Sequence, residues 1–368
     1  MGVGLIPLFR ALHLPIRFDW QGLASAFWLV LCAQSIFVTV ILVLIGFPRN
    51  IFVPTLQRLW HQKARIVLAV VYFLILFWIF TWLRALVLTV DAMVLLELGD
   101  RHNKRDLRRV ASAVLWPALY LFAGFLLIFA YNDIIASVRF PFANDAAFDV
   151  MDRWLLHGIS VPYLSHWAIR TFPVSFFHSL EFIYFGMFPQ VGAGLILTSL
   201  YCGRNRGLQF VGTILTAYCL TLGVFYLWPS QGPYYLYPEH FAAYPNTLQA
   251  YATQKALIAK ALALWNHWPI NRISADYYIG FPCMHITQPL IVMWFLRRWK
   301  RIVVVLAAYD ILLVVAVILL EWHYFVDILA AVPMAGIAIA ITDGSALRDH
   351  WMRTKRKAVL RPGGEVSL

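Results

Sequence analysis

Apolar runs long enough to cross a bilayer recur along the chain, parted by short polar and basic stretches. Eight are legible, at about residues 24–47, 66–90, 111–132, 177–200, 208–228, 282–298, 302–320 and 323–342. Only helices and closed barrels satisfy the backbone within lipid, and runs of roughly 17–25 residues fit helices. The pattern therefore predicts an all-α polytopic membrane protein with about eight transmembrane helices. It divides into a two-span N-terminal extension (residues 1–110), a six-helix core (111–345) and a basic tail (346–368). Between the third and fourth runs, residues 148–173 are too polar to cross, yet apolar positions return at helical spacing beside Trp154 and Trp167. Short helices lying in the membrane interface are expected there. The fifth run stops at Pro229-Ser230-Gln231-Gly232-Pro233-Tyr234-Tyr235, a turn whose backbone amides are available to an anion or simply end the helix. A long functional loop is expected from there to Gly280.

Composition narrows the class. Hydrophobic residues make up 61% of the chain and charged residues 13%, and the four cysteines have no CxxC spacing, so neither a disulfide framework nor a zinc motif is indicated. The net charge of +12 would suit nucleic acid if it were clustered on a soluble surface, but the basic residues fall between spans. There they set topology and meet anionic lipid head groups, so membrane lipids are the expected partners and nucleic acid is not. The side that carries Arg10, Arg101 to Arg109, Arg204, Arg297 to Arg301 and Arg348 to Arg361 holds nearly twice the Lys and Arg of the other. Both termini are accordingly expected in the cytoplasm, which puts residues 133–176, 229–281 and 321–323 at the exterior or in a lumen.

Candidate chemistry gathers on that second face. His323 and Asp327 are four apart at the start of the last run, one helix face apart in reach, so the carboxylate can hold one ring nitrogen and leave the other as base or nucleophile. A pair satisfied by water at a membrane interface is the plain alternative. Cys283 and His285 follow Pro282 at the opening of the sixth run, where unpaired amides and the positive helix end favour an anion. His178 and Glu181 share a face at the start of the fourth run and suit a substrate contact or an interhelical hydrogen bond equally. Asp310 falls mid-span, where a hydrogen bond to a neighbouring helix is its plain reading.

Pro282-Cys283-Met284-His285, His323-Tyr324 with Asp327, and Pro229 to Pro233 before both resemble the type-2 phosphatidic acid phosphatase superfamily, and within it the inositol phosphorylceramide synthase branch most. The likeness covers about residues 111–342 and includes Asp152-Arg153, Gly158 and Pro162. It implies a six-helix bundle that works through a phosphohistidine without metal or other cofactor. By position, His323 would be the nucleophile, Asp327 its orienting carboxylate and His285 the acid for the leaving oxygen. Cys283 would stand by the phosphate where the family usually has serine, a better donor. The turn residues Gly232, Pro233 and Tyr234, with His178, Glu181, Arg272 and Arg153, complete the candidate substrate-binding set. Val317 replaces the arginine that the family's phosphatases carry six residues before the nucleophile, and no Lys-x6-Arg-Pro sequence precedes it in the appropriate loop. These departures, shared in part by the synthase branch, favour transfer of a phospho-head group to a hydroxyl acceptor over hydrolysis. A lipid phosphate or polyprenyl diphosphate phosphatase is the alternative within the chemistry. A transporter or non-catalytic relative is the alternative outside it.

Overall fold

The computed structural model describes residues 104–142, 144–237, 249–266 and 279–359, with the side chains of 113–344 within them. The first two expected spans, Arg272 and the end of the basic tail lie outside the described residues. What is described is helical, with no strand: α1 (Lys104–Arg139), α2 (Asp145–Leu155), α3 (Val161–Thr171), α4 (Val174–Phe185), α5 (Met187–Cys202), α6 (Arg204–Leu227), the single turn α7 (Pro233–Leu236), α8 (Gln249–Trp265), α9 (Met284–Leu296), α10 (Lys300–Leu319) and α11 (Phe325–Val359). Five stretches are long and apolar enough to cross a membrane: Ala113–Arg139, Val174–Cys202, Arg204–Leu227, Lys300–Leu319 and Phe325–Gly344. The chain is an all-α polytopic membrane protein.

The six expected core spans all appear, with differences that have physical causes. The fourth is two helices, α4 and α5, joined at Gly186, where the Tyr309 hydroxyl from α10 donates to the Ile183 carbonyl and leaves no room for a side chain. The sixth, α9, has only 13 residues, about 20 Å at 1.5 Å per residue. It is the hub of the bundle, touching α5, α6, α10 and α11. Enclosed by protein, it need not match the bilayer's thickness. Its surface is correspondingly buried from Met284 to Pro289. The predicted boundary at residue 346 falls inside α11, which runs helical to Val359 past a non-helical residue at Asp343. The expected long loop contains a further helix: Ala- and Leu-rich α8 is made of strong helix formers and packs on α1.

Polar pairs fix the helices against one another. Gln190 donates to Asp310 at 3.2 Å, the interhelical bond expected for that carboxylate, and Lys260 of α8 meets Asp133 of α1 at 3.0 Å. At the end of the bundle opposite the histidines, Arg206 grips Asp343 with two nitrogens at 2.7 and 2.8 Å while the Trp294 indole donates to the same carboxylate. This cluster ties α6, α9 and α11 together where basic residues abound.

The two polar helices between the third and fourth spans form as expected, but α2 is turned inside out relative to a soluble helix. Val150, Met151 and Trp154 face outward, Trp154 at 80% exposure, while Asp145, Asp149 and Asp152 are buried. An apolar outer face suits lipid. The acidic inner face has another task.

Candidate functional site

His323 is held by a helix end most of whose carbonyls are given a partner. The last carbonyls of a helix have no partner within it. Here the Val317 carbonyl accepts from the Trp322 and His323 amides, Ile318 from the Ser165 hydroxyl of α3, Leu320 from the Gln254 amide of α8 at 2.7 Å, and Glu321 from the Tyr234 amide. Glu321 takes a left-handed conformation (φ 57°) to close this turn, a cost that a non-glycine residue accepts only where surroundings enforce it. Three segments far apart in sequence thus converge on the turn that presents one imidazole.

The helix that follows starts with equal care. The Asp152 carboxylate accepts from the Phe325 and Val326 amides at 2.7 and 2.9 Å, capping α11 from outside. Asp327 Oδ2 accepts from the Tyr324 amide at 2.8 Å. Burial raises the Asp152 carboxyl above its ordinary range while the two amides pull it back.

Within this frame His285 Nδ1 and His323 Nε2 lie 3.0 Å apart, and both residues are buried, at 9% and 3% exposure. His323 Nδ1 is 2.8 Å from the Gly280 carbonyl and 3.4 Å from Asp327 Oδ2. A carbonyl only accepts, so Nδ1 carries a proton, and in the neutral ring Nε2 carries the lone pair. The expected roles of carbonyl and carboxylate are therefore redistributed. The backbone of Gly280 orients the ring, and Asp327 stands behind it as a nearby carboxyl group whose hydrogen bond goes to the Tyr324 amide just before α11. Its side chain serves the helix start because Tyr324 lies three residues earlier, the capping-box geometry.

Cys283 is fully buried at the N-cap of α9, its amide donating to the Asp327 carbonyl at 3.0 Å. Its Sγ and one nitrogen from each histidine lie within 4.8 Å of one another, a set that has metal-ligand chemistry. The Tyr184 ring packs against His285 (centroids 4.4 Å apart) and stacks on Trp322 at 5.1 Å. Tyr234 meets Trp322 edge-on. Gly232 has φ 122° and any Cβ would stand 2.4 Å from the Trp322 carbonyl oxygen, so the turn needs glycine.

That turn is not an open anion cradle. The amides of Gln231 and Gly232, with the Ser230 hydroxyl, donate to Asp145 at 3.2, 2.8 and 3.0 Å. An internal carboxylate has taken the place expected for an external anion. Pro233 is buried at the first position of α7. His178 and Glu181 also turn elsewhere. They pair at 3.1 Å, and Glu181 accepts from the Ala250 amide at 2.6 Å, capping the first turn of α8. Arg153 is engaged by Asp149, with nitrogens at 2.8 and 3.1 Å. Of the substrate-binding candidates, Cys283 is at the histidine pair, and Gly232 and Tyr234 reach it through Trp322.

The sequence reading missed the acidic face of α2. Its signal was the spacing of Asp145, Asp149 and Asp152, which places three carboxylates on one helical face. Gln231 was missed too. It is 2% exposed, and neither side-chain polar atom has a hydrogen-bond partner among the described residues.

Asp145 gives this site a pH dependence. Burial raises its carboxyl to about 7, against the pull of the Gly232 and Gln231 amides and Ser230. The folded protein thus holds this proton to higher pH than the unfolded chain does. The stability linked to it is full below the ordinary value of 3.8 and is lost as pH rises to about 7. Thermal unfolding in detergent is expected to show that loss in the wild type, with a visibly smaller decline between pH 4 and 7 in Asp145→Asn.

A family model described as the PAP2 superfamily matches residues 149–341, which include both histidines and most of the helices around them. No curated protein and no solved structure matches the chain.

Proposed function

The chain belongs to the PAP2 superfamily, whose chemistry is of the phosphatase or phosphotransferase type, and we propose on that premise that it transfers a phospho-head group from a membrane lipid to a hydroxyl acceptor. The reading is inositol phosphorylceramide synthase-like in reaction. Its chief support is the buried His285–His323 contact at 3.0 Å, between a ring whose free lone pair is fixed by a backbone carbonyl and a second ring able to donate. His323 Nε2 attacks phosphorus and the phosphorus–oxygen bond to the leaving alcohol breaks. His285, which enters this step as the imidazolium paired with the anionic phosphate, gives that oxygen its proton and is left neutral. The acceptor hydroxyl then attacks the phosphohistidine while His285 takes the acceptor's proton, and the N–P bond breaks. At 3.0 Å the two rings enclose no phosphoryl group, so substrate entry parts them.

Burial of the histidines supports transfer over hydrolysis, because a site that excludes water spares a reactive phosphohistidine. Val317 in place of the phosphatase arginine points the same way. The charge bias of the loops supports a site on the outer or lumenal leaflet with both termini in the cytoplasm. Acyl or isoprenyl chains remain in the bilayer while head groups enter at this end of the bundle.

Gln231 is the residue we assign to a substrate head group, since its buried amide has no partner among the described residues and such a group is costly until something fills its hydrogen bonds. Gln231→Leu is expected to leave the unliganded protein as stable or slightly more so. KM should rise about tenfold, the effect of losing one hydrogen bond of roughly 1.5 kcal/mol. Thermal unfolding and steady-state kinetics on one preparation check the split.

The reaction itself is tested by incubating purified protein with a membrane lipid extract and following new phospholipids and free phosphate by mass spectrometry, beside His323→Ala. A new phosphodiester lipid that needs His323 is the expected result. Free phosphate alone would make the protein a phosphatase. Identical product profiles for the two proteins would refute the assignment of His323.

A further inference from the structure

We infer that Cys283, His285 and His323 form a site for a thiophilic divalent cation, Zn²⁺ in particular, and that the loaded site is catalytically shut. The inhibitory half rests on the reading of His323 as nucleophile. The binding half stands on geometry alone.

Three donors of suitable type lie together. Cys283 Sγ and one nitrogen from each ring are within 4.8 Å of one another, and all three residues are buried. One thiolate and two imidazoles suit zinc, whereas magnesium and calcium prefer oxygen. Tetrahedral zinc with bonds of about 2.0–2.1 Å to nitrogen holds two nitrogens about 3.3 Å apart. The rings already stand at 3.0 Å. The two nitrogens need to part by only a few tenths of an ångström, and Cys283 Sγ has to close from at most 4.8 Å to about 3.6 Å of each, an approach that rotation of the thiol side chain supplies, while a phosphoryl group requires the rings to part much further.

The surroundings hold the His323 and Cys283 donors in place. The bond from His323 Nδ1 to the Gly280 carbonyl leaves Nε2 as the ligand atom, the outer support that metal-bound imidazoles usually have. The amide of Cys283 is fixed to the Asp327 carbonyl, and the Thr287 hydroxyl donates to the Cys283 carbonyl at 2.9 Å. Asp327 Oδ2 stands 3.4 Å from His323 Nδ1 on the far side of the ring from the site. A cysteine is a weak hydrogen-bond donor to phosphate but, once deprotonated, a strong zinc ligand. That difference gives the residue at 283 a consequence that serine would not have.

Charge and protons balance without redox change. The thiol releases its proton to solvent as the S–Zn bond forms. His285 gives up its Nδ1–H bond to His323, carries that proton on Nε2 instead and binds through Nδ1, and His323 binds through Nε2. One proton leaves per zinc, and a fourth position is left to water. The lone pair that would attack phosphorus is then committed to the metal.

Purified full-length protein, stripped with chelator, is titrated with Co²⁺ as a spectroscopic probe and then with Zn²⁺ in competition. The expected result is one cobalt per chain with thiolate-to-metal charge-transfer absorption and tetrahedral ligand-field bands, displaced by zinc. Those bands should vanish in Cys283→Ser and persist when Cys32, Cys202 and Cys219 are all replaced by serine. Zinc X-ray absorption of the wild type, which needs no variant to fold, should show one sulfur at about 2.3 Å and nitrogen at about 2.0–2.1 Å. Turnover should fall with the zinc midpoint seen in the cobalt competition, and inhibition of Cys283→Ser should need at least about tenfold more zinc. No charge-transfer band in folded wild type, a band that survives Cys283→Ser, or a zinc spectrum without sulfur overturns the site. Turnover unaffected by saturating zinc overturns the inhibition. Metal binding through Cys283 in a protein without phosphotransfer activity would count against the proposed function and not against the site.

Discussion

Replacing His323 by alanine lowers kcat by about 10⁴-fold or more, the scale on which enzymes lose rate when a covalent nucleophile is removed. The structure gives the physical basis. Among the described residues no second side chain shares the fixed geometry of His323 Nε2, with Nδ1 on the Gly280 carbonyl at 2.8 Å and Nε2 facing His285 at 3.0 Å. The ring is buried, so its loss also leaves a void beside Gly280 and His285. His323→Gln keeps much of the volume and part of the hydrogen bonding but has no nucleophilic nitrogen. It is expected to restore stability without restoring rate. Thermal unfolding beside steady-state kinetics for both variants separates the chemical loss from the structural one.

Asp152→Ala carries the second largest effect, and this one falls on stability and activity together. Its carboxylate caps α11 through the Phe325 and Val326 amides at 2.7 and 2.9 Å, two residues after the nucleophile. Two hydrogen bonds to an ionised carboxylate, less the compensation that water and relaxation provide, put the loss at about 2–4 kcal/mol. For a membrane protein in detergent this is a drop of several degrees in Tm. The freed helix start loosens the turn that fixes His323, so kcat falls while KM changes little. Asp152→Asn keeps one acceptor oxygen and is expected to recover roughly half of the stability. An Asp152→Ala protein as stable and as active as wild type would remove α2 from the account of the site.

The architecture was legible because membrane helices announce themselves through length and apolarity, and the turn-forming residues around Pro229 and Pro282 marked where one stops and another starts. His285, His323 and Cys283 were legible as one cluster because alternating span directions bring their loops to one face. Partners contributed by the backbone were not. Gly280 serves through its carbonyl, which every residue has, so nothing in the sequence distinguished it from Asp327 as the partner of His323 Nδ1. The occupation of the Gln231–Gly232 amides by Asp145 was hidden for a related reason: the loop and the carboxylate are 87 residues apart at their furthest contact. Residues His178 and Glu181 had the right spacing to share a face, but that spacing alone did not show that Glu181 caps α8, a helix the loop reading had not anticipated.

Capture of the intermediate tests the central claim most directly. The protein is mixed with a lipid phosphate labelled at phosphorus, quenched within a turnover and digested, and the label is located by mass spectrometry. An acid-labile phospho-head group on His323 is predicted, absent from His323→Ala and longer-lived in His285→Ala, where the second step lacks its base. Label on another residue, or turnover with no phosphorylated protein under conditions that preserve phosphohistidine, would contradict the account.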